Sequence, residues 1–521
     1  MSDKGSIEVV CERELPRRKF MKNVATMAAG QGLLSLSGGS AIAKAITETN
    51  DRFNICFMSA SEIVKRIVLG HFSAREVMSA YLDQIDRVNP SVNAICTQIP
   101  RSEALAQADA ADRAIARGEK VGILHGLPIA VKDAVMTKGI RTTMGSPIFA
   151  NYIPDKDALL VQRLKKAGAI VIGKTNLPEF GAGSQTYNTV FGATRNPYNL
   201  EKTVGGSSGG AAAALASGML PIADGSDMGG SLRNPAAFCN VVGFRPSMGR
   251  VPSWPISMPW QSRLTVDGPM ARTVQDAALL LSAIAGPDPR DPISIDAPGD
   301  IFLEALSSDV RGVRLAWSPD LGGLPVEDEI VAVCSKAVSI FNAMGCVVEQ
   351  AHPDMSGAFD VFNTLRASVF EEAAADMMSK YPDQIKETVK WNVDEGIKLS
   401  GPDITAAQVA RGEIYQRVLT FLDDYDFLIL PTTQVKPFDV DIEWPRAING
   451  IEMETYLDWM QICCVITITG LPAISVPCGF TSDGLPVGLQ IVGGHRRDLD
   501  VLKIAHAFET ATKFYQVSPN F

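Results

Sequence analysis

Two short glycine-rich segments constrain this chain more than any other feature of its sequence. Residues 205–210 have the sequence GGSSGG around Ser207, and residues 227–231 have the sequence DMGGS and end on Ser231. Because glycine has no Cβ, such runs let successive backbone N–H groups turn toward one point. A loop of this kind can bind a developing oxyanion beside a serine hydroxyl. Either segment alone is more typical of a simple tight turn.

A lysine upstream changes that interpretation. Lys132 follows the apolar run 127–131, which indicates a buried strand. A serine hydroxyl is a weak nucleophile without a base, and a lysine can act as that base when burial keeps it neutral. Neutrality near pH 7.5 requires the pKa to fall by about 3 from its ordinary value, which costs roughly 4 kcal/mol. The apolar surroundings of position 132 suit this requirement.

These segments carry a resemblance to a known family. The motifs are HGLPIAVKD around Lys132, GGSSGGAAAA around Ser207 and SDMGGSLRNPAAF around Ser231. They resemble the amidase signature family, whose enzymes use a Ser–cisSer–Lys triad. Further similar stretches include 168–184 and 469–493, so the resemblance covers almost everything after about residue 55. The order and spacing of the motifs make the resemblance specific.

The resemblance implies a role for each motif residue. Ser231 is the expected nucleophile, Ser207 the bridging serine and Lys132 the base. The same resemblance implies an oxyanion hole from backbone N–H groups and substrate contacts in the 168–184 segment, without a cofactor or a metal. The residues expected in the hole are Met228, Gly229, Gly230 and Ser231, and those expected to contact substrate are Gly183 and Ser184.

Alternating elements along the chain predict an α/β fold with helices on both faces of a sheet. The resemblance implies that the sheet is mixed and that residues 44–521 form a single large amidase domain. The part that matches the family least, about 355–411, is rich in helical patterns. We expect it to be a variable helical cap that shapes the substrate entrance.

The N-terminus predicts export. Residues 16–22, PRRKFMK, are similar to a twin-arginine motif, and a mildly apolar run rich in glycine and alanine follows to about residue 43. Ala41-Ile42-Ala43 fits a small-residue cleavage site, with cleavage after Ala45 as a close competitor. We therefore expect a signal peptide over 1–43, recognition by the export machinery, and a periplasmic or otherwise exported mature protein.

Charge and hydropathy limit the partners. The net charge is −10, which argues against nucleic acid as the main partner. Gln31, Ser35 and Ser37 interrupt the N-terminal apolar run, and no later stretch of about 18 apolar residues occurs, so no membrane anchor is expected. The expected partner is a small amide substrate.

Several positions near the triad allow other interpretations. Asp227 and Arg233 are expected to form a structural ion pair, because buried charges need partners. Lys174 is expected to be solvated or structural. Trp254, Met258 and Trp260 fit an acyl pocket, and they fit a packed core at least as well.

The predicted function is an exported hydrolase of linear carboxamides, with esters as a second substrate class. Two alternatives remain. The sequence 205–209 satisfies the G-x-S-x-G pattern of an α/β-hydrolase esterase, although the preceding segment 195–202 is typical of a loop and no histidine has a catalytic context. The second alternative is the amidase subunit of a tRNA-dependent amidotransferase. Tyr187 stands where those subunits carry an acidic residue, and the export signal also argues against that function.

Overall fold

The computed structural model describes residues 55–261 and 263–521, so the signal peptide predicted over 1–43 lies outside the described residues. The strands, in chain order, are β1 (Ile95–Gln98), β2 (Pro128–Lys132), β3 (Ile170–Thr175), β4 (Tyr187–Asn188), β5 (Gly192–Ala193), β6 (Arg195–Asn196), β7 (Asn199–Thr203), β8 (Ile222–Asp227), β9 (Val242–Arg245), β10 (Val266–Ala271), β11 (Arg314–Trp317), β12 (Val347–Gln350), β13 (Phe427–Pro431), β14 (Ala447–Ile448), β15 (Ile451–Glu452), β16 (Ala473–Phe480) and β17 (Pro486–Gly493).

The main helices of the described residues pack around these strands. They are α1 (Ala60–Val68), α2 (Ala74–Val92), α3 (Arg101–Ala116), α4 (Leu159–Lys166), α5 (Gly209–Ala216), α6 (Arg233–Phe238), α7 (Val274–Ile284), α8 (Asp328–Ala343), α9 (Ala358–Lys380), α10 (Glu387–Ile397), α11 (Gly401–Phe421), α12 (Gln461–Thr467) and α13 (Asp498–Thr512). Over the described residues, every helix is too short or too polar to cross a bilayer.

The central sheet has eight strands in the order β12-β11-β13-β17-β16-β9-β10-β8. Strand β11 pairs in parallel with β12 and β13, and the other neighbours are antiparallel, so the sheet is mixed as expected. A Cβ added at Gly488 of β17 would lie 2.5 Å from Ala237 of α6, and one added at Gly493 would lie 2.4 Å from Val501 of α13. Residues five positions apart on a strand point to opposite faces of the sheet. Gly488 therefore packs against a helix on one face and Gly493 against a helix on the other, so helices cover both faces.

A second sheet of three strands has the order β1-β3-β2. Strands β2 and β3 run parallel with Val131 opposite Lys174, and every residue of both strands is buried. Continuous apolar runs are typical of such doubly covered parallel strands. The backbone N–H of Lys132 donates to Asp224 Oδ1 of β8 at 3.2 Å, which fixes the end of β2 beside the central sheet.

The segment 195–202 is not the loop that its composition indicates. Strands β6 and β7 form an antiparallel hairpin there. The buried Asn196 side chain donates to Thr203 O at 3.0 Å and to Phe238 O at 2.8 Å. The bond to Phe238 ties the hairpin to a distant segment, which local turn composition cannot reveal.

The region expected to be a helical cap is indeed helical. Helices α9 and α10 lie within residues 355–411, and α11 begins there and continues to Phe421. A small apolar cluster joins α9 and α10 to the loop before β4, through Phe370, Val389, Val393 and Ala182. This packing places α9 next to the glycine-rich turns.

Candidate active site

The amino group of Lys132 lies at the end of β2 and contacts a group of serines. Nζ is 2.7 Å from Ser207 Oγ, 2.9 Å from Ser208 Oγ and 2.9 Å from Ser226 Oγ. Lys132 is only 1% exposed, so these hydroxyls replace water around the amine. Ser207 was expected near Lys132 from the sequence motifs, whereas Ser208 and Ser226 were both missed.

Burial lowers the pKa of Lys132 to about 8, against the opposing effect of the carboxylates of Asp224, Asp267 and Asp227. A substantial fraction of the amine is therefore neutral near physiological pH. A neutral amine has two N–H donors and one lone pair. With three hydroxyl partners, one serine hydroxyl must donate its hydrogen to Nζ. Lys132 can thus accept a proton from a hydroxyl that is already in hydrogen-bond contact.

The loop that carries Ser207 is held through its backbone. Its Gly206–Ser207 peptide bond is cis. Ser184 Oγ donates to Gly206 O at 2.7 Å, and Thr186 Oγ1 donates to Gly205 O at 2.8 Å. Ser184, expected to contact substrate, is buried, supports this loop through its hydroxyl and lines a recess together with Gly183. A Cβ at Gly210, where α5 begins, would lie 2.3 Å from Asn176 N, so glycine is required for this close approach.

Asp227 organises the second glycine-rich turn. Its carboxylate accepts hydrogen bonds from the backbone N–H groups of Gly230 at 3.0 Å and Leu232 at 3.1 Å. Arg233 Nη2 also donates to it at 2.9 Å, which confirms the expected ion pair, and Arg245 adds a second buried cation. Burial alone would raise the pKa of Asp227, but Arg233 and Arg245 hold it well below its ordinary value.

The backbone N–H groups of residues 228–231 are not equivalent. The Gly230 N–H is occupied by Asp227 Oδ1, whereas those of Met228, Gly229 and Ser231 donate to no acceptor among the described residues. Gly230 has φ of 107°, a conformation that favours glycine. Of the four N–H groups expected in the oxyanion hole, that of Gly230 has a protein acceptor and the other three have none among the described residues.

These groups meet in a narrow cavity of about 80 Å³. Its lining includes the hydroxyls of Ser207, Ser226 and Ser231, the glycine backbone, apolar side chains and one guanidinium. No hydrogen bond joins Ser207 Oγ to Ser231 Oγ among the described residues. The cavity is lined by Phe180, Gly181, Gly183, Ser207, Ser226, Met228, Gly229, Ser231, Thr265, Arg366, Phe370 and Met460, with no histidine among them.

Arg366 and Phe370 lie on α9, inside the region expected to be a cap. They line the cavity beside Ser231, so α9 contributes to its wall. The tryptophans considered for an acyl pocket lie elsewhere: Trp260 is 80% exposed, and Trp254 lies beneath Arg290, whose guanidinium is 4.7 Å from the ring centroid. The apolar lining comes instead from Phe180, Phe370 and Met460, for which local sequence carried no signal.

Comparisons with known proteins identify a family for this chain. The family model described as Amidase matches residues 76–502. An acylamidase from Rhodococcus erythropolis is 37% identical over 475 residues, covering 89% of this chain and 98% of that protein. A glutamyl-tRNA(Gln) amidotransferase subunit from Thermosynechococcus vestitus is 35% identical over 484 residues, covering 88% and 98%. A solved bacterial aryl acylamidase of the amidase signature family superposes with a TM-score of 0.82 at 32% identity, over 88% of this chain and 98% of that one.

The mixed α/β fold, with serines around a buried lysine, defines an amidase-type hydrolase. The chain belongs to the amidase signature family and is a hydrolase of carbon–nitrogen bonds other than peptide bonds. The family match does not support an α/β-hydrolase esterase.

Proposed function

We propose that this protein hydrolyses linear acylamides through an acyl-enzyme on Ser231, with Ser207 and Lys132 as the proton relay and esters as a second substrate class. One observation supports this proposal above the others: a buried amine with a lowered pKa touches the Ser207 hydroxyl at 2.7 Å, in the cavity that also holds Ser231. No cofactor is needed for this chemistry.

In the proposed first half-reaction, Ser231 Oγ bonds to the amide carbon. Its proton passes to Ser207 Oγ while the Ser207 proton passes to Lys132 Nζ. The Met228, Gly229 and Ser231 N–H groups stabilise the oxyanion. The carbon–nitrogen bond then breaks, and the leaving nitrogen takes a proton back through Ser207. The contact between the two hydroxyls would form when substrate binds, since catalytic hydrogen bonds are often long in the free enzyme.

In the second half-reaction, water attacks the acyl-enzyme by the same route. The water proton passes through Ser207 to Lys132, and the tetrahedral intermediate releases Ser231, which recovers a proton from the relay. The products are a carboxylic acid and an amine. The apolar lining from Phe180, Phe370 and Met460 favours acyl or aryl groups over small polar amides. The acylamidase and aryl acylamidase relatives support this substrate class.

A serine substitution tests the proposal. Ser231→Ala is expected to abolish turnover of aryl acylamides and covalent labelling by a fluorophosphonate probe, without changing the melting temperature. Ser339→Ala, on the exposed face of α8, is the matched control and should keep both. Near-normal turnover by a folded Ser231→Ala protein would overturn the assignment.

A second candidate function is the amidase subunit of a tRNA-dependent amidotransferase, favoured by the 35% identity to such a subunit. Tyr187 argues against it, because those subunits are expected to carry an acidic residue at position 187. In this protein the Tyr187 hydroxyl instead donates a hydrogen bond to Glu443 at 2.9 Å. The purified chain alone should hydrolyse simple acylamides. Activity with glutamine that appears only after partner subunits are added would favour the second function.

Export is also proposed, on the sequence features of residues 1–43 and the Arg17-Arg18 pair. A fusion of residues 1–45 to a folded reporter should reach the periplasm, and replacing both arginines by lysine should retain it in the cytoplasm. Export of the double-lysine variant would refute a twin-arginine signal.

A further inference from the structure

Arg366 is a charged group that the proposed proton relay does not use. It lies on α9, is 4% exposed, and lines the cavity that contains Ser231. Among the described residues, no aspartate or glutamate oxygen lies within 4 Å of its guanidinium. Because arginine stays protonated in proteins, the cavity wall carries a fixed positive charge.

The guanidinium is held in place from several sides. It donates to Asn392 Oδ1 on α10, and Asn392 Nδ2 in turn donates to the Tyr456 hydroxyl at 2.7 Å. The guanidinium carbon is 4.3 Å from the Phe370 ring centroid and 5.3 Å from that of Tyr456. These contacts orient the cation without neutralising it.

Three other buried arginines of the described residues have carboxylate partners, whereas the buried Arg272 donates to the backbone carbonyls of Leu215, Leu220 and Met58. Arg233 and Arg245 pair with Asp227, and Arg250 pairs with Asp498 at 3.0 Å. Such pairing is the usual answer to the large cost of burying a charge. Arg366 lacks it at a position where a ligand can enter, so an anionic ligand would supply the missing partner.

The recess next to the cavity is lined by charged residues of both signs, whereas the cavity itself is lined by a cation. Lys386 lines it, with its ammonium 3.9 Å from the Tyr187 ring centroid, and Glu443 lines the same recess. Glu179 accepts a hydrogen bond from the Lys386 backbone at 2.7 Å. Glu443 and Glu179 act electrostatically on the Lys386 ammonium, although neither forms an ion pair with it among the described residues. Arg366 is the cation that lines the cavity with Ser231 itself.

We propose that the preferred substrates are amides that carry a carboxylate, separated from the scissile bond by a short apolar spacer, with Arg366 binding the carboxylate. The apolar rings beside Ser231 suit the spacer, and the planar guanidinium suits two carboxylate oxygens. This inference rests on the proposed function. The carboxylate could belong to the acyl part or to the amine part, and the substrates below separate these sources.

Two matched substrate pairs test the proposal. Succinyl 4-nitroanilide against butanoyl 4-nitroanilide places the carboxylate on the acyl side. N-acetyl-4-aminobenzoate against acetanilide places it on the amine side. In the wild-type protein, kcat/KM should be higher for the charged member of one pair. In Arg366→Gln that preference should fall about 10- to 100-fold, as expected for losing a charged hydrogen bond. The kcat/KM for the neutral member should change less than about threefold.

Two further variants complete the test. Arg366→Lys, which keeps the charge and loses the planar fork, should retain part of the preference. Arg311→Gln, which removes an exposed arginine whose side chain is 79% accessible, should leave it unchanged. Wild-type protein that hydrolyses the neutral members equally well or better would overturn the proposal, and this comparison needs no variant. Equal losses on both members in Arg366→Gln would overturn it too.

A binding measurement separates this inference from the proposed function. Calorimetry with Ser231→Ala and N-acetyl-4-aminobenzoate or succinyl 4-nitroanilide should show binding that weakens about 10- to 100-fold when Arg366→Gln is added. Carboxylate binding without hydrolysis by the wild type would refute the proposed function and keep the anion site. Hydrolysis without a carboxylate preference would refute the anion site and keep the proposed function.

Discussion

Two buried lysines lie at the ends of neighbouring parallel strands and differ in what their amino groups touch. Lys132 of β2 contacts three serine hydroxyls, whereas Lys174 of β3 donates to the Val135 carbonyl and, at 2.8 Å, to Thr137 Oγ1. Burial lowers the pKa of each amine to about 8. A carbonyl oxygen can only accept a hydrogen bond, but a hydroxyl can also give up its proton.

The difference between the two lysines shows that burial alone does not make a base. Both amines have a pKa of about 8. Of the two, only Lys132 contacts a hydroxyl that lines the cavity containing Ser231. Lys174 instead ties β3 to the segment after β2, so the expectation of a structural lysine fits and that of a solvated one does not. A lowered pKa identifies candidates, and the partners decide between them.

Replacing each lysine in turn should give the largest difference in kcat/KM between the two positions. Lys132→Met should lower kcat/KM for an aryl acylamide by about 10⁴-fold, because the proton acceptor is lost. Lys174→Met should keep kcat/KM per folded molecule within about tenfold and lower the free energy of unfolding by about 1–3 kcal/mol, because a buried carbonyl loses its donor. Equal loss of activity in two well-folded variants would erase the distinction between the lysines.

The pH dependence should follow Lys132 and not Lys174. With a pKa of about 8, the neutral fraction of Lys132 falls about 100-fold from pH 9 to pH 6. Because the neutral form is the base, kcat/KM should rise with pH over this range and level off above about pH 8.5. The same inflection should remain in Lys174→Met. A flat profile from pH 6 to 9 would contradict a lysine base.

Deleting one hydroxyl near each lysine gives the smallest expected effect. Ser226→Ala removes an acceptor 2.9 Å from Lys132 Nζ and should lower kcat/KM about tenfold by loosening the amine. Thr137→Val removes the corresponding hydroxyl from Lys174 and should cost about 1 kcal/mol of stability with kcat/KM within twofold. A larger loss of activity in Thr137→Val would show that the second amine takes part.

The sequence predicted the parts of the site that short motifs encode. The apolar run before Lys132 and the glycines around Ser207 and Ser231 dictate local conformation, and local conformation is what periodicity and turn chemistry predict. The buried strand expected before Lys132 was correspondingly found, as was the α/β class.

The remainder depended on contacts between distant segments. Ser226 reaches Lys132 only because β8 packs beside β2. Arg366 lies in the region expected to be a cap, where the resemblance to the family is weakest and the local pattern indicates only a helix. Nothing in the sequence of α9 marks Arg366 and Phe370 as residues that line the cavity.

The pKa of the Lys132 amine tests the central claim most directly. Nitrogen NMR of Ser231→Ala protein labelled at lysine Nζ, with the Lys132 and Lys174 signals assigned from the two methionine variants, would follow both amines during a pH titration. We predict that Lys132 titrates near 8. Titration near the ordinary value of about 10.4 would leave the amine charged at neutral pH and would contradict its role as the base.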